Sequence, residues 1–210
     1  RARRFAAGAI RAAFVSDGDF AAMRAAMVAS QLRTSDVNDP AVLAAMASVP
    51  REDYVPAERR MTAYTDRPIP LGNGRAMNPP LATGRLLEVA EIASGDRVLL
   101  VGDATGYTAA LLKHIGAELS VAEGTAPTKG RTGGAPCDVL LIDGAVADLP
   151  AALLAQLAEG GRVALGLLER GVTRLCSGRK AGGSVGFVRH NDIEMVVVPG
   201  FQPAKAGFVF

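Results

Sequence analysis

Arg97-Val98-Leu99-Leu100-Val101-Gly102-Asp103-Ala104-Thr105-Gly106-Tyr107 is the stretch on which the reading of the fold turns. Its first five residues form a short, nearly continuous apolar run, the pattern of a strand covered on both faces. Gly102 and Gly106 then bracket a tight turn, and Tyr107 to Ile115 carries a helical pattern. Glycine at such a turn lets the backbone approach a ligand, and the helix start offers N–H groups not used inside the helix. A second strand is expected over Glu118 to Ala122, and Glu123 follows it, where adenosyl- and dinucleotide-binding folds place an acid for the ribose hydroxyls. The pattern also suits a plain strand-to-helix turn without a ligand. The lysine–hydroxyl ending of a phosphate-binding loop is absent.

Toward the C-terminus the alternation continues. Asp138 to Ile142 reads as a third buried strand, Pro150 to Leu157 as a helix, Gly160-Gly161 as a turn and Arg162 to Leu167 as a fourth strand. Strands and helices alternating at this spacing predict a parallel sheet with helices on both faces. Val172 to Cys176 and Val185 to Val188 flank a turn-rich stretch at 178–184 and predict an appended antiparallel hairpin. Ile193 to Val198 is a further strand candidate, and the chain ends in Phe208-Val209-Phe210.

Toward the N-terminus the pattern is helical. Residues 18–34 read as a helix with Asp19 as N-cap and a stripe of Phe20, Met23, Met27, Val28 and Leu32. Asp39-Pro40 opens a second helix, and 50–61 is a proline-punctuated region of turns. Pro68, Pro70, Gly72, Gly74, Pro79 and Pro80 make 66–80 a long loop, of the kind that often carries function. Asn78-Pro79 opens a third helix reaching about Ile92. The expected organisation is a tail at 1–17 and one domain at 18–210, split into a helical and loop region (18–93) and a Rossmann-like α/β core (94–210).

Composition narrows the function. With 210 residues and 49% hydrophobic side chains, the chain can bury one substantial core. Arg1, Arg3, Arg4 and Arg11 precede the first acid, Asp17, and the rest of the chain is slightly acidic. The expectation is therefore no nucleic-acid partner, since a basic face on the folded body is missing and only 5% of residues are aromatic. No apolar run approaches the roughly 18 residues of a membrane span. Cys137 and Cys176 are far apart and read as reduced, buried residues of a cytoplasmic protein. With two histidines no metal site is expected. Residues 1–15 suit a targeting segment or an incomplete N-terminus and are set aside.

Met27-Val28-Ala29-Ser30-Gln31-Leu32-Arg33, the helix from Asp39, Val49-Pro50-Arg51-Glu52-Asp53-Tyr54-Val55-Pro56 and Ala63-Tyr64-Thr65-Asp66-Arg67-Pro68-Ile69-Pro70-Leu71-Gly72 together resemble the N-terminal block of protein-L-isoaspartate O-methyltransferases. The resemblance runs from about residue 20 to about residue 167. It implies a methyltransferase fold with S-adenosyl-L-methionine as cofactor and isoaspartyl-containing proteins or peptides as partners. It also implies methyl transfer to the isoaspartyl carboxylate, which begins protein repair. A carboxylate with a pKa of about 4 is already ionised at neutral pH, so the missing catalytic base or metal is no objection. On this reading Gly102, Asp103, Thr105, Gly106 and Glu123 hold the cofactor, and Asn78 and Asp143 lie near the reacting carboxylate.

The chain also departs from the family pattern. Leu100 stands where an acid usually ends the first strand, and Ala104 replaces the middle glycine of the loop. Asn78 replaces a serine placed beside the substrate carboxylate; it can donate to a carboxylate or cap the following helix. Arg67 and Arg75 flank the substrate loop. Only thirteen residues separate Glu123 from Cys137, where the family has a helix, an edge strand and an adenine-binding turn. Thirteen extended residues reach roughly 40 Å, enough for the shortcut. Two alternatives stay open at this point: a non-catalytic binding or regulatory module, and a methyltransferase with another substrate.

Overall fold

The computed structural model describes residues 16–122, 127–130 and 135–202. The tail at 1–15, Glu123, most of the shortened interval and Phe208-Val209-Phe210 lie outside the described residues.

Helix α1 spans Asp17–Met27. Its cap is Ser16, not Asp19: the Ser16 hydroxyl accepts from Asp19 N while the Asp19 carboxylate accepts from Ser16 N at 2.8 Å. Asp19 is thus the third helical residue of a reciprocal capping box. The expected continuous helix to 34 gives way to a π-helical turn at Val28–Leu32 and a 3-10 turn at Arg33–Ser35. Helix α2, Pro40–Ser48, begins as expected: Asp39 Oδ1 accepts from Ala41 N and Val42 N at 2.7 and 3.2 Å.

Two 3-10 turns, Arg51–Tyr54 and Ala57–Thr62, lead to the loop region. There strands β1 (Ile69–Gly72) and β2 (Arg75–Met77) form a small antiparallel hairpin where a plain loop was expected. Its turn is Asn73-Gly74, both at positive φ (52° and 71°), the backbone that hairpin turns favour. Helix α3, Pro80–Ala90, has Pro79 as its N-cap residue.

Strand β3 (Arg97–Val101), helix α4 (Tyr107–Ile115) and strand β4 (Glu118–Ala122) keep the expected bounds. Strand β5 runs longer than expected, Cys137–Val146, and helix α5 is a single turn, Ala151–Leu154. Strand β6, Leu157–Glu169, absorbs Gly160 and Gly161. The register shifts there, with Cys137 opposite Leu157 but Val139 opposite Arg162, so the expected turn is an irregularity inside a strand. Strands β7 (Val172–Ala181) and β8 (Ser184–Asp192) form the expected antiparallel hairpin, tightened to a turn at Gly182-Gly183.

The six-stranded sheet has the order β4-β3-β5-β6-β7-β8. The pairs β3–β4, β3–β5 and β5–β6 are parallel; β6–β7 and β7–β8 are antiparallel. Side chains alternate across β3. Val98 and Leu100 join Met46, Leu86 and Leu111 in one core, while Leu99 and Val101 join Ile142, Leu153 and Phe201 in the other. The departure at Leu100 is thus a fully buried core residue.

Ile193 to Val198 does not become a strand. It lies along the end of β5 with one parallel bridge, Ala145 to Val197, flanked by Ala145 N to Val196 O (2.8 Å) and Val198 N to Ala145 O (2.9 Å). Cys137 and Cys176 are buried and not disulfide-linked. Among the described residues no helix is long and apolar enough to cross a membrane.

Candidate active site

The chain leaves β3 for β4 on one side and continues in β5 on the other, which makes the carboxyl end of β3 a topological switch point. Open α/β sheets bind ligands there. A cavity of about 630 Å³ occupies this edge. Its floor is Gly102, Asp103, Ala104 and Gly106; one wall is Ala109 and Lys113 of α4 with Leu119, Val121 and Ala122 of β4. Asp143, Val196 and the 198–200 stretch form the opposite wall, with Arg75 and Ala76 also lining the cavity.

Gly102 has φ +90°, and a Cβ there would stand 2.9 Å from Val198 Cγ1. Glycine is required both by the backbone angle and by the segment that crosses above it. Asp103 organises the loop: its carboxylate accepts from Gly106 N and Ala109 N at 2.9 Å each, and from Thr105 N at 3.4 Å. Thr105 in turn accepts from Tyr107 N at 3.2 Å. The N–H groups of Tyr107 and Ala109 in the first turn of α4 are therefore satisfied by the chain itself.

Asp143 accepts from Asn78 Nδ2 at 3.0 Å and from Thr108 Oγ1 at 2.9 Å. Burial pushes its pKa up to about 7; the nearby Asp103 charge adds to this, while the Asn78 and Thr108 hydrogen bonds and the Arg51 charge oppose it. Asn78 is 5% exposed. Its Oδ1 accepts from Val196 N at 2.8 Å, so its side chain is spent on Asp143 and Val196. The capping alternative for Asn78 is overturned, because Pro79 takes the cap position.

Asn78 and Asp143, expected together, are in direct contact. Gly102, Asp103, Gly106 and Asp143 share one cavity. Thr105 faces the start of α4, and Glu123 lies beyond the described end of β4. Of the two loop arginines, Arg75 lines the cavity and Arg67 pairs with Glu194 at 3.5 Å on the surface.

Sequence reasoning assigned no role to Arg51, Thr108, Lys113 or the 196–200 segment. Arg51 stood inside a block quoted for its resemblance. It is fully buried, donates from Nε to Ala63 O at 2.7 Å and from Nη2 to Asn78 O, and stacks 5.0 Å from the Tyr107 ring centroid. Beside it Glu52 accepts from Arg24 Nη2 at 2.8 Å and from the Tyr64 hydroxyl. The 196–200 segment carries no local signal of a site beyond the strand candidate at Ile193 to Val198, because only the sheet places it beside the cavity.

An open, mostly parallel sheet with helices on both faces, a cleft at its switch point and an antiparallel hairpin at one edge is the architecture of the Rossmann-like methyltransferases. The family model described as Protein-L-isoaspartate(D-aspartate) O-methyltransferase (PCMT) matches residues 23–123 and 117–200, and the chain belongs to that family. It is 36% identical to a protein-L-isoaspartate O-methyltransferase of Koribacter versatilis (strain Ellin345), over 89% of this chain and 96% of the relative. It is 32% identical to that of Roseiflexus castenholzii (strain DSM 13941 / HLO8), over 87% and 94%. Among solved structures, a protein-L-isoaspartate O-methyltransferase superposes with a TM-score of 0.70 at 18% identity, over 84% of this chain and 66% of the other. A Plasmodium falciparum β-aspartate methyltransferase (PCMT), solved with S-adenosyl-L-homocysteine, gives 0.65 at 18% identity, over 83% and 97%.

Proposed function

We propose that this protein methylates the carboxylate of L-isoaspartyl residues in damaged proteins, with S-adenosyl-L-methionine as donor, in the cytoplasm. Family membership supports the reaction class. The observation that carries the reading is the switch-point cavity with Asp143 on its wall, held in one orientation by Asn78 and Thr108.

The residues present suit the donor. About 630 Å³ lies within the usual range of small-molecule pockets. Ala109, Leu119 and Val121 offer apolar surface for a flat base, and Gly102 lines the same cavity. Glu123, the next residue in sequence after β4, is assigned to the ribose hydroxyls. The bound donor supplies an electrophilic methyl group on a sulfonium sulfur. The chain's part is alignment, the main contribution a protein can make to an in-line displacement. Asp103 keeps the Gly102–Gly106 floor rigid through its three backbone contacts. Asn78 fixes Asp143 and ties it to Val196. Arg75, on the cavity lining, is assigned to the incoming carboxylate. No side chain has to remove a proton, since the nucleophile is already an anion.

The short interval between Glu123 and Cys137 favours one rival, a binding module without catalysis. Calorimetric titration with S-adenosyl-L-methionine and with its demethylated product, followed by an isoaspartyl-peptide methylation assay, separates the two. Micromolar binding weakened by Glu123→Ala, together with peptide methylation, is the expected result. Absence of heat and of thermal stabilisation at millimolar ligand would reject the enzyme reading.

A further inference from the structure

Arg51 is fully buried, and among the described residues it makes no salt bridge. Its ties are to two carbonyl oxygens, of Ala63 and Asn78, and to the face of Tyr107. Among the described residues neither Nη1 nor the buried Tyr107 hydroxyl makes a well-formed hydrogen bond, although the two groups lie close enough for each to favour the charged form of the other. Carbonyls and a ring face compensate a buried cation only in part, and an arginine keeps its charge in proteins. Burial accordingly pulls the Arg51 pKa down. Tyr107 opposes this shift most; Asp143 comes next and is the carboxylate that acts on Arg51, and that influence is mutual.

The groups facing Asp143 come from four places: Asp103 from the loop after β3, Thr108 from α4, Asn78 from the loop before α3, and Arg51 from the 3-10 turn after α2. Arg75 and Lys113 share the cavity with it. Asp103 and Arg51 therefore act on Asp143 with opposite sign. Arg51 also grips the main chain of the residue whose side chain binds Asp143.

We propose that Arg51 is the positioning residue of this site: its donors fix the main chain of Asn78, and its buried charge supports the carboxylate of Asp143. The inference rests on the proposed role of Asn78 and Asp143 in methyl transfer. Arg51 does not line the cavity and touches no reacting group. Its two contributions separate by substitution. Lysine keeps the charge and loses the planar fork; methionine keeps bulk and loses both.

The test is the titration of Asp143, followed by carbon NMR in protein labelled at the aspartate carboxyl carbons, together with steady-state methylation of an isoaspartyl peptide. In Arg51→Met the Asp143 titration should move to higher pH by about one unit, as expected for loss of a nearby opposite charge. In Arg51→Lys it should stay at the wild-type position. The same Lys variant should lose about tenfold in kcat, with the dissociation constant for S-adenosyl-L-homocysteine unchanged. An unmoved titration in folded Arg51→Met overturns the proposal. So does wild-type kcat in Arg51→Lys, which also decides the matter if the Met variant fails to fold. A wild-type protein that methylates no isoaspartyl peptide defeats the functional reading instead, and the Asp143 titrations still decide whether the Arg51 charge acts there.

Discussion

Asn78 donates from Nδ2 to Oδ1 of Asp143 at 3.0 Å across 65 residues of sequence. The other end of the same amide accepts from Val196 N at 2.8 Å. One side chain thus joins the loop before α3, the end of β5 and the segment that crosses the cavity. Asn78→Ala leaves the Val196 N–H and one oxygen of Asp143 without their partner, at a cost of up to about 1–3 kcal/mol for each of these half-buried groups. Asn78→Asp keeps an acceptor for Val196 but sets a second carboxylate against Asp143. Thermal denaturation at pH 5.5 and pH 8.5 should show Asn78→Asp losing more stability at the higher pH. Equal losses at both values would mean that the two side chains do not interact.

Asp143 gives the fold a pH dependence of definite sign. Its pKa is pushed up to about 7 in the folded protein, mainly by burial, against about 3.9 in an unfolded chain. The folded state then binds more protons between those values, so the group's contribution is full below about pH 4 and is lost as pH rises to about 7. Asp143→Asn removes that slope. Denaturant unfolding should find this variant gaining stability relative to wild type between pH 5 and pH 8; parallel curves would rule out the raised pKa.

At Gly102 two penalties can be measured apart. Gly102→Ala puts a side chain at φ +90° and a Cβ 2.9 Å from Val198 Cγ1. Val198→Ala in the same chain relieves the contact and leaves the backbone strain, which costs about 1–3 kcal/mol. The double variant should recover part of the melting temperature lost by Gly102→Ala. Simple additivity of the two losses would place the whole penalty in the backbone.

Glu52 is 5% exposed and receives both Arg24 and the Tyr64 hydroxyl. Glu52→Ala leaves the half-buried Arg24 charge with the Tyr64 hydroxyl but no carboxylate, a class of change costing up to about 3–5 kcal/mol. For a domain of this size that is on the order of 10 °C in melting temperature. Because this cluster lies outside the cavity, the affinity for S-adenosyl-L-homocysteine should hold at temperatures where the variant is folded. Calorimetric scanning and titration of the same sample check both statements.

Much of the core was legible because it is encoded locally. The bounds of β3, α4 and β4 follow from an apolar run, a glycine turn and a helical period that lie next to one another. Asp39-Pro40 marks the start of α2 for the same reason. Where a neighbour in space decides, local patterns failed. Gly160-Gly161 reads as a turn, yet both residues fall inside β6, at the irregularity between its pairings with β5 at Leu157 and Arg162. Ile193 to Val198 reads as a strand, yet it meets the sheet at a single bridge.

The candidate site divides along the same line. By itself the sequence determined the family and the strand–turn–helix that floors the cavity, and it singled out Asn78 and Asp143, which the fold brings into contact. Only the tertiary structure decided what Asn78 does, because a cap and a cross-chain hydrogen bond require the same amide. It also decided that Arg51 lies fully buried, since an arginine in a local pattern looks the same whether water or carbonyl oxygens receive it. Periodicity and turn chemistry act over a few residues and can be read along a chain. Burial and charge pairing depend on groups 27 to 118 residues apart, and they exist only once the sheet has brought those groups together.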